Sequence, residues 1–190
     1  MNKIYHDNLA EHAAVLEKMS NIHDFIQHAG EIMSQTVMNG GKIMLCGNGG
    51  SAADCQHIAA EFMGRFIDDR DPIASLALTT DSSALTCIGN DYSYENIFSR
   101  QVLGLGDPSD CLIGISTSGN SQNVINALEA AKIVGMKTIG MLGRDGGKIA
   151  NFCDVDIIIP SMSTARIQEM HILVGHTLVG VVENLVSSRF

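Results

Sequence analysis

Residues 42–61, KIMLCGNGGSAADCQHIAAE, constrain the fold of this chain more than any other stretch. Ile43, Met44, Leu45 and Cys46 form a short apolar run, the pattern of a strand buried on both faces. Gly47-Asn48-Gly49-Gly50 then permits a sharp turn and a close approach to a ligand, because glycine has no Cβ to clash. Ser51 is the expected N-cap of a helix that runs on from Ala52. Strand, glycine turn and helix N-terminus together present free N–H groups and the positive end of a helix dipole, an arrangement that favours an anion. Four residues apart on that helix, His57 and Glu61 project from one face.

Gly47-x-Gly49-x-x-Ala52 also fits a dinucleotide-binding glycine pattern. That pattern requires an acid roughly 20 residues on, closing the second strand. After the second apolar run, 73–78, the first acid is Asp81, about ten residues late. The dinucleotide reading is set aside.

The units at 43–60 and 111–134 share a plan of buried strand, small polar loop and helix. Helical spacing predicts helices over 3–18 and 22–38, the second ended by Gly40-Gly41. A strand at 73–78, a short helix at 82–88, a turn at 89–91 and a helix at 95–103 follow. Next come a strand at 111–115, a helix at 122–134 and a strand at 137–142. A turn at 144–147, a strand at 155–159 stopped by Pro160 and a long helix at 165–187 close the chain. Such alternation predicts a three-layer αβα fold with a five-stranded parallel sheet and helices on both faces. Residues 1–40 form an additional helical pair ahead of the α/β core at 41–190, the whole being one expected domain. The apolar faces of that pair are expected to cover the core or another subunit.

Composition narrows the function. A net charge of −9 argues against a nucleic-acid surface, which needs clustered Lys and Arg. It leaves a phosphate ligand possible, since amides and hydroxyls bind one without cations. The five cysteines show no CxxC spacing and read as small core residues of a reducing compartment. No run approaches the length of a membrane span, and the N-terminus carries acids and histidines where a signal peptide needs an apolar stretch. A soluble, cytoplasmic protein is expected.

Two further clusters bear on chemistry. Ser116-Thr117-Ser118-Gly119-Asn120-Ser121 sets hydroxyls, a glycine and free amides before a helix, which suits a phosphate monoester. In a parallel sheet this loop and the 47–51 loop both emerge at the carboxyl ends of strands, where ligands bind. His57 and Glu61 can be a metal pair, an acid/base pair or a solvated contact. The closing helix adds Gln168, Glu169, His171 and His176 to an otherwise apolar stretch. His176 has no polar partner nearby in sequence, whereas His171 reads as a surface residue. Gln168 and His176 are separated by about 12 Å of helix rise and about 80° of rotation. Both reach one ion only if the helix bends or a neighbouring subunit contributes.

Taken together, CGNGGSAADCQHIAAEF, IGNDYSYENIFSRQV, GISTSGNS and RIQEMHILVGH resemble the sedoheptulose 7-phosphate isomerases, or phosphoheptose isomerases, of the sugar isomerase (SIS) fold. The resemblance spans essentially the whole chain, including the two leading helices. It implies conversion of the ketose phosphate to D-glycero-D-manno-heptose 7-phosphate for lipopolysaccharide, by a homo-tetramer. The helix geometry then leads to the expectation that Glu61 and His176 meet across a subunit boundary, in sites shared between subunits. By similarity, Asn48, Gly49, Gly50, Ser51, Asn90 and Asp91 would line the substrate, with Glu61 and Gln168 beside it. Ser116, Thr117, Ser118 and Ser121 would hold the phosphate. His57, Glu61, Gln168 and His176 match the family's zinc ligands, one zinc per site, and Glu61 and His176 its acid/base pair.

One departure is Ala165, where some members have aspartate. TARIQEMH also resembles a non-catalytic SIS relative that assists the DNA replication initiator. That relative lacks the histidine matching His176, so the enzyme is favoured over a binding module. The residue types suit the chemistry: aldose–ketose isomerisation needs a base, an acid and something to hold developing negative charge.

Overall fold

The apolar runs assemble as a single parallel sheet. In the computed structural model, which describes residues 2–187, five strands are present: β1 (Ile43–Gly47), β2 (Ser75–Ala77), β3 (Cys111–Ser116), β4 (Lys137–Gly143) and β5 (Val155–Ile159). Their order is β2-β1-β3-β4-β5, and every pairing is parallel. From β1 the chain crosses to β2 on one side and returns to β3 on the other. The carboxyl ends of β1 and β3 are therefore neighbours, with Gly47 opposite Ile115. This is the switch point at which open α/β sheets bind ligands.

Strand alternation divides the interior between two faces. Ile43 and Leu45 of β1, Ile113 and Ile115 of β3 and Ile157 of β5 point to one side. There they meet α2 (His23–Met38), α3 (Gly50–Met63) and α7 (Thr164–Ser187). Met44, Cys46, Leu112 and Leu142 point to the other, against Phe98, Val102 and the apolar stripe of α6 (Gln122–Val134). α1 (Asn2–Lys18) lies against α7, held where buried Arg166 donates to the Asn8 carbonyl at 2.8 Å and to Glu169 at 2.6 Å.

α7 fits tightly because two glycines remove side chains at its crossings. A Cβ on Gly175 would stand 2.6 Å from Ile58 of α3, and one on Gly30 of α2 the same distance from Val181. Past α3, Arg70 donates from Nε to Glu183 of α7 at 2.9 Å, and its NH2 and NH1 groups cap the carbonyls of Glu61 and Phe62. Burial alone would raise the Glu183 carboxyl; N–H bonds from Ile67 and Asp68 and the Arg70 charge hold it below its usual range. This buried pair fixes α3 against α7, the two helices that carry His57, Glu61 and His176.

Several local expectations need correction. The expected strand at 73–78 shortens to Ser75–Ala77, an edge strand entered through Pro72. The turn expected at 89–91 is instead the last turn of α4 (Ser82–Asp91), because Tyr92 N–H still bonds the Ile88 carbonyl. Asp81 is the N-cap of α4, accepting from Ala84 N–H at 2.9 Å. The helix expected at 95–103 splits into a 3₁₀ turn, Tyr94–Asn96, and α5 (Ser99–Leu105), with buried Ile97 and Phe98 plugging the second core at the break. Ser51 is not the N-cap of α3. Gly49 fills that position at φ 57°, and Ser51 is buried inside the first turn. Cys87 departs from the core reading of the cysteines and is exposed. No described helix is long and apolar enough to cross a membrane.

Candidate active site

Two loops meet at the switch point. In the first, the glycines let the chain leave β1 and enter α3 within three residues, and Gln168 of α7 lies so close over Gly50 that a Cβ there would overlap its amide. In the second, Gly119 at φ 66° turns the hydroxyl loop, and a Cβ there would collide with the Gly146 carbonyl. Asn120 Oδ1 accepts from Lys148 N–H at 3.1 Å and Gly119 O from Ile149 N–H at 3.1 Å, so the 146–149 turn braces this loop.

Within the second loop, Ser116 and Ser121 hydroxyls lie 3.0 Å apart, and Ser118 Oγ accepts from Asn120 N–H at 3.2 Å. Ser121 is the N-cap of α6 yet makes no side-chain cap bond, its hydroxyl being turned to Ser116. The first turn of α6 thus offers N–H groups beside clustered hydroxyls, a constellation suited to phosphate.

On the other side of the first loop, α3 and α7 bring three donors together. His57 Nε2 stands 3.0 Å from His176 Nε2 and 3.3 Å from Glu61 Oε1. Ligand atoms of all three residues lie within 4.8 Å of one another. Phe66 stacks on the His176 ring at 5.4 Å between centroids, fixing its plane. Tetrahedral ligands around zinc stand about 3.4 Å apart, as follows from bond lengths near 2.1 Å. The spacings and the mix of two imidazoles and a carboxylate therefore fit a zinc ion. A single chain unites Glu61 with His176, so the subunit boundary expected between them is not needed. Gln168, two turns away on α7, rests on Gly50.

Other expected residues are placed differently. Asn90 and Asp91 bond to each other at 2.8 Å, and Asp91 accepts from Cys87 at 3.5 Å. Of residues 89–91, Gly89 but neither Asn90 nor Asp91 lines the cavity of about 420 Å³ that Asn48, Gly49, Thr79 and Tyr94 also line. His171 is not a surface residue: it is fully buried and bonds the Leu142 carbonyl at 3.0 Å through Nε2. Burial lowers its pKa to about 4, against a weaker raising by that bond. The spacing 167, 171, 174, 178 already placed it on the buried stripe of α7. Ala165 is exposed at the start of α7.

Four residues near the site escaped sequence reasoning. Asn123 pairs with Asn48, and Tyr94 also bonds Asn48. Asp54, one turn before His57, has a buried Oδ2 with no partner, and burial raises its carboxyl while the His57 charge lowers it. Phe66 lies beyond the end of α3. Only Asp54 carried a local signal, its spacing of three from His57.

The sequence matches the SIS domain family model over residues 7–143. It is 52% identical over 179 residues to a phosphoheptose isomerase of Aliarcobacter butzleri, covering 94% of this chain and 95% of that one. It is 53% identical over 176 residues to a protein of the same name from Nitratiruptor sp., with 92% and 94% covered. The fold superimposes on a phosphoheptose isomerase structure from Neisseria gonorrhoeae with a TM-score of 0.91 at 46% identity, over 96% of this chain and 98% of that one.

Proposed function

The chain belongs to the SIS domain family and is an enzyme of the phosphoheptose isomerase group, and on that premise we propose that it converts sedoheptulose 7-phosphate to D-glycero-D-manno-heptose 7-phosphate through an enediol. The product would enter heptose synthesis for lipopolysaccharide in the cytoplasm. The observation that carries this reading is the meeting of His57, Glu61 and His176 within 4.8 Å, beside loops built for a phosphate.

In this reading Ser116, Thr117, Ser118 and Ser121 bind the phosphate with the N–H groups of α6. Asn48, Gly49, Gly50 and Ser51, with Asn90, Asp91 and Gln168, surround the sugar. Glu61 and His176 are the acid/base pair: one takes the proton from carbon, the other serves the neighbouring oxygen. His57, Glu61 and His176 would hold zinc, which as a Lewis acid stabilises negative charge on oxygen, and Gln168 would be the fourth donor only through a bend in α7 or from a neighbouring subunit. A carboxylate bound to a cation is a weaker base, so Glu61 does not fill both roles at one moment.

Residues 1–190 work in this reading as one domain within a homo-tetramer with sites shared between subunits. Exposed Ile4, Tyr5, Leu9 and Leu16 on α1 and Phe25 on α2 support it, since apolar faces of this kind are covered by partners. Light scattering that finds a stable monomer at micromolar concentration removes the tetramer. A non-catalytic module for a replication initiator is set aside, because relatives about half identical over nearly the full chain carry an enzyme's name. The deciding experiment incubates the protein, supplied with zinc, with sedoheptulose 7-phosphate and follows aldose formation. Protein that binds the sugar phosphate and never interconverts it overturns the proposal.

A further inference from the structure

Asn48 is the first residue past β1, and its side chain is engaged on two sides. Oδ1 accepts from Asn123 Nδ2 at 2.8 Å and from Tyr94 OH at 2.9 Å, while Nδ2 donates to Asn123 Oδ1 at 2.8 Å. Those bonds occupy both lone pairs of the oxygen and one of the two N–H groups. Asn123 is only 3% exposed and is the second residue of α6, directly after the hydroxyl loop. Tyr94 opens the turn after α4, and Asn126 of α6 ties to that same turn by donating to the Glu95 carbonyl at 3.0 Å. A reciprocal amide pair thus spans the two loops at the switch point, with Tyr94 bracing it from outside.

We infer that Asn123, together with Tyr94, is a positioning residue for the isomerisation: acting through Asn48, it fixes the distance between the loop that holds the phosphate and the loop that faces the reacting carbons. The inference rests on the function proposed above. A sugar phosphate anchored by its phosphate delivers its far carbons to Glu61 and His176 at a distance set by these two loops. Loosening the amide pair leaves the hydroxyl cradle intact but lets the loops part. A misplacement of about 1 Å costs on the order of a hundredfold in rate. Asn48 itself then serves the sugar through its backbone and its one spare N–H, because its side-chain oxygen has no capacity left.

The test is a double-mutant cycle on the zinc-supplied protein, using Asn48→Ala, Asn123→Ala, the double variant and Tyr94→Phe. Asn123→Ala is expected to lower kcat for sedoheptulose 7-phosphate about 10- to 100-fold with KM within about threefold of wild type. The double variant should be no worse than Asn123→Ala by more than about threefold, since both changes break one coupling. Additive losses, or a wild-type kcat in Asn123→Ala, overturn the inference. Amide hydrogen exchange supplies a readout independent of turnover. Protection should fall in both 48–52 and 117–124 while β1 and β3 stay protected; a loss confined to α6 also overturns it. A wild-type protein without turnover sinks the proposed function, and the exchange result still decides the coupling. Should Asn123→Ala fail to fold, Tyr94→Phe, which removes one hydroxyl from an exposed residue, must show the same pattern at smaller size.

Discussion

His57 Nε2 and His176 Nε2 lie 3.0 Å apart although 119 residues separate them in sequence. Two ring nitrogens this close can share one proton or one cation, and Glu61 completes a donor set on the same side.

The cation is the first expectation. Protein purified without chelator should contain one zinc per site, lost in His57→Ala, as read by metal analysis. Protein with no zinc and no activation by added zinc defeats the metal quartet.

Glu61 and His176 should govern the chemical step. General acid–base groups contribute about 10²- to 10⁴-fold, so Glu61→Gln and His176→Gln should each cut kcat at least about a hundredfold with the fold intact. Steady-state kinetics beside circular dichroism would show it; a variant near wild-type rate removes that residue from the pair.

For the hydroxyl loop, Ser118→Ala should raise KM for the phosphorylated sugar while leaving the thermal midpoint in place. A Ser116→Ala/Ser118→Ala double variant that still binds inorganic phosphate at wild-type strength would rule out this cradle.

The Arg70–Glu183 pair should hold the site together from beneath. Removing one partner of a buried pair costs about 3–5 kcal/mol, so Arg70→Ala should lose stability on that scale in urea unfolding. Because α3 and α7 lose their clamp, zinc affinity should fall with it. A loss under about 1 kcal/mol would mean that the pair behaves as a surface bridge.

His171 sets a pH dependence of stability. Its folded pKa, about 4, lies below the unfolded value of 6.5, so between these the unfolded chain binds the extra proton. Its contribution is complete above pH 6.5 and declines by about 1.4 kcal/mol per pH unit as the pH falls toward 4. His171→Gln, which keeps a donor for the Leu142 carbonyl, should flatten the thermal midpoint across that window. An unchanged slope would locate the acid sensitivity elsewhere.

Most of the fold was legible because its signals are local. The apolar run 43–46, the glycines after it and the period of α7 each act within a few residues, and they mark β1, its turn and a long buried helix. The same locality misplaced Ser51, since whether a serine or a glycine caps a helix depends on the backbone angle the turn adopts, here φ 57° at Gly49. His171 shares the spacing of buried Ile167, Val174 and Leu178, and that period outweighs the tendency of a titratable side chain to face water.

Sequence by itself determined the two loops, the strand–helix alternation and the His57–Glu61 pair on one helix face. It joined His176 to His57 only through the family resemblance, and it did not place Phe66 on His176 or Asn123 on Asn48. Those meetings follow from how α7 crosses α3 over Gly175 and Ile58, and from which strand lies beside β1. A helix fixes the direction of its side chains by its own hydrogen bonds, whereas the distance between two helices is fixed only by the packed side chains between them. The candidate site is built across such distances, and so its geometry was decided only by the tertiary structure.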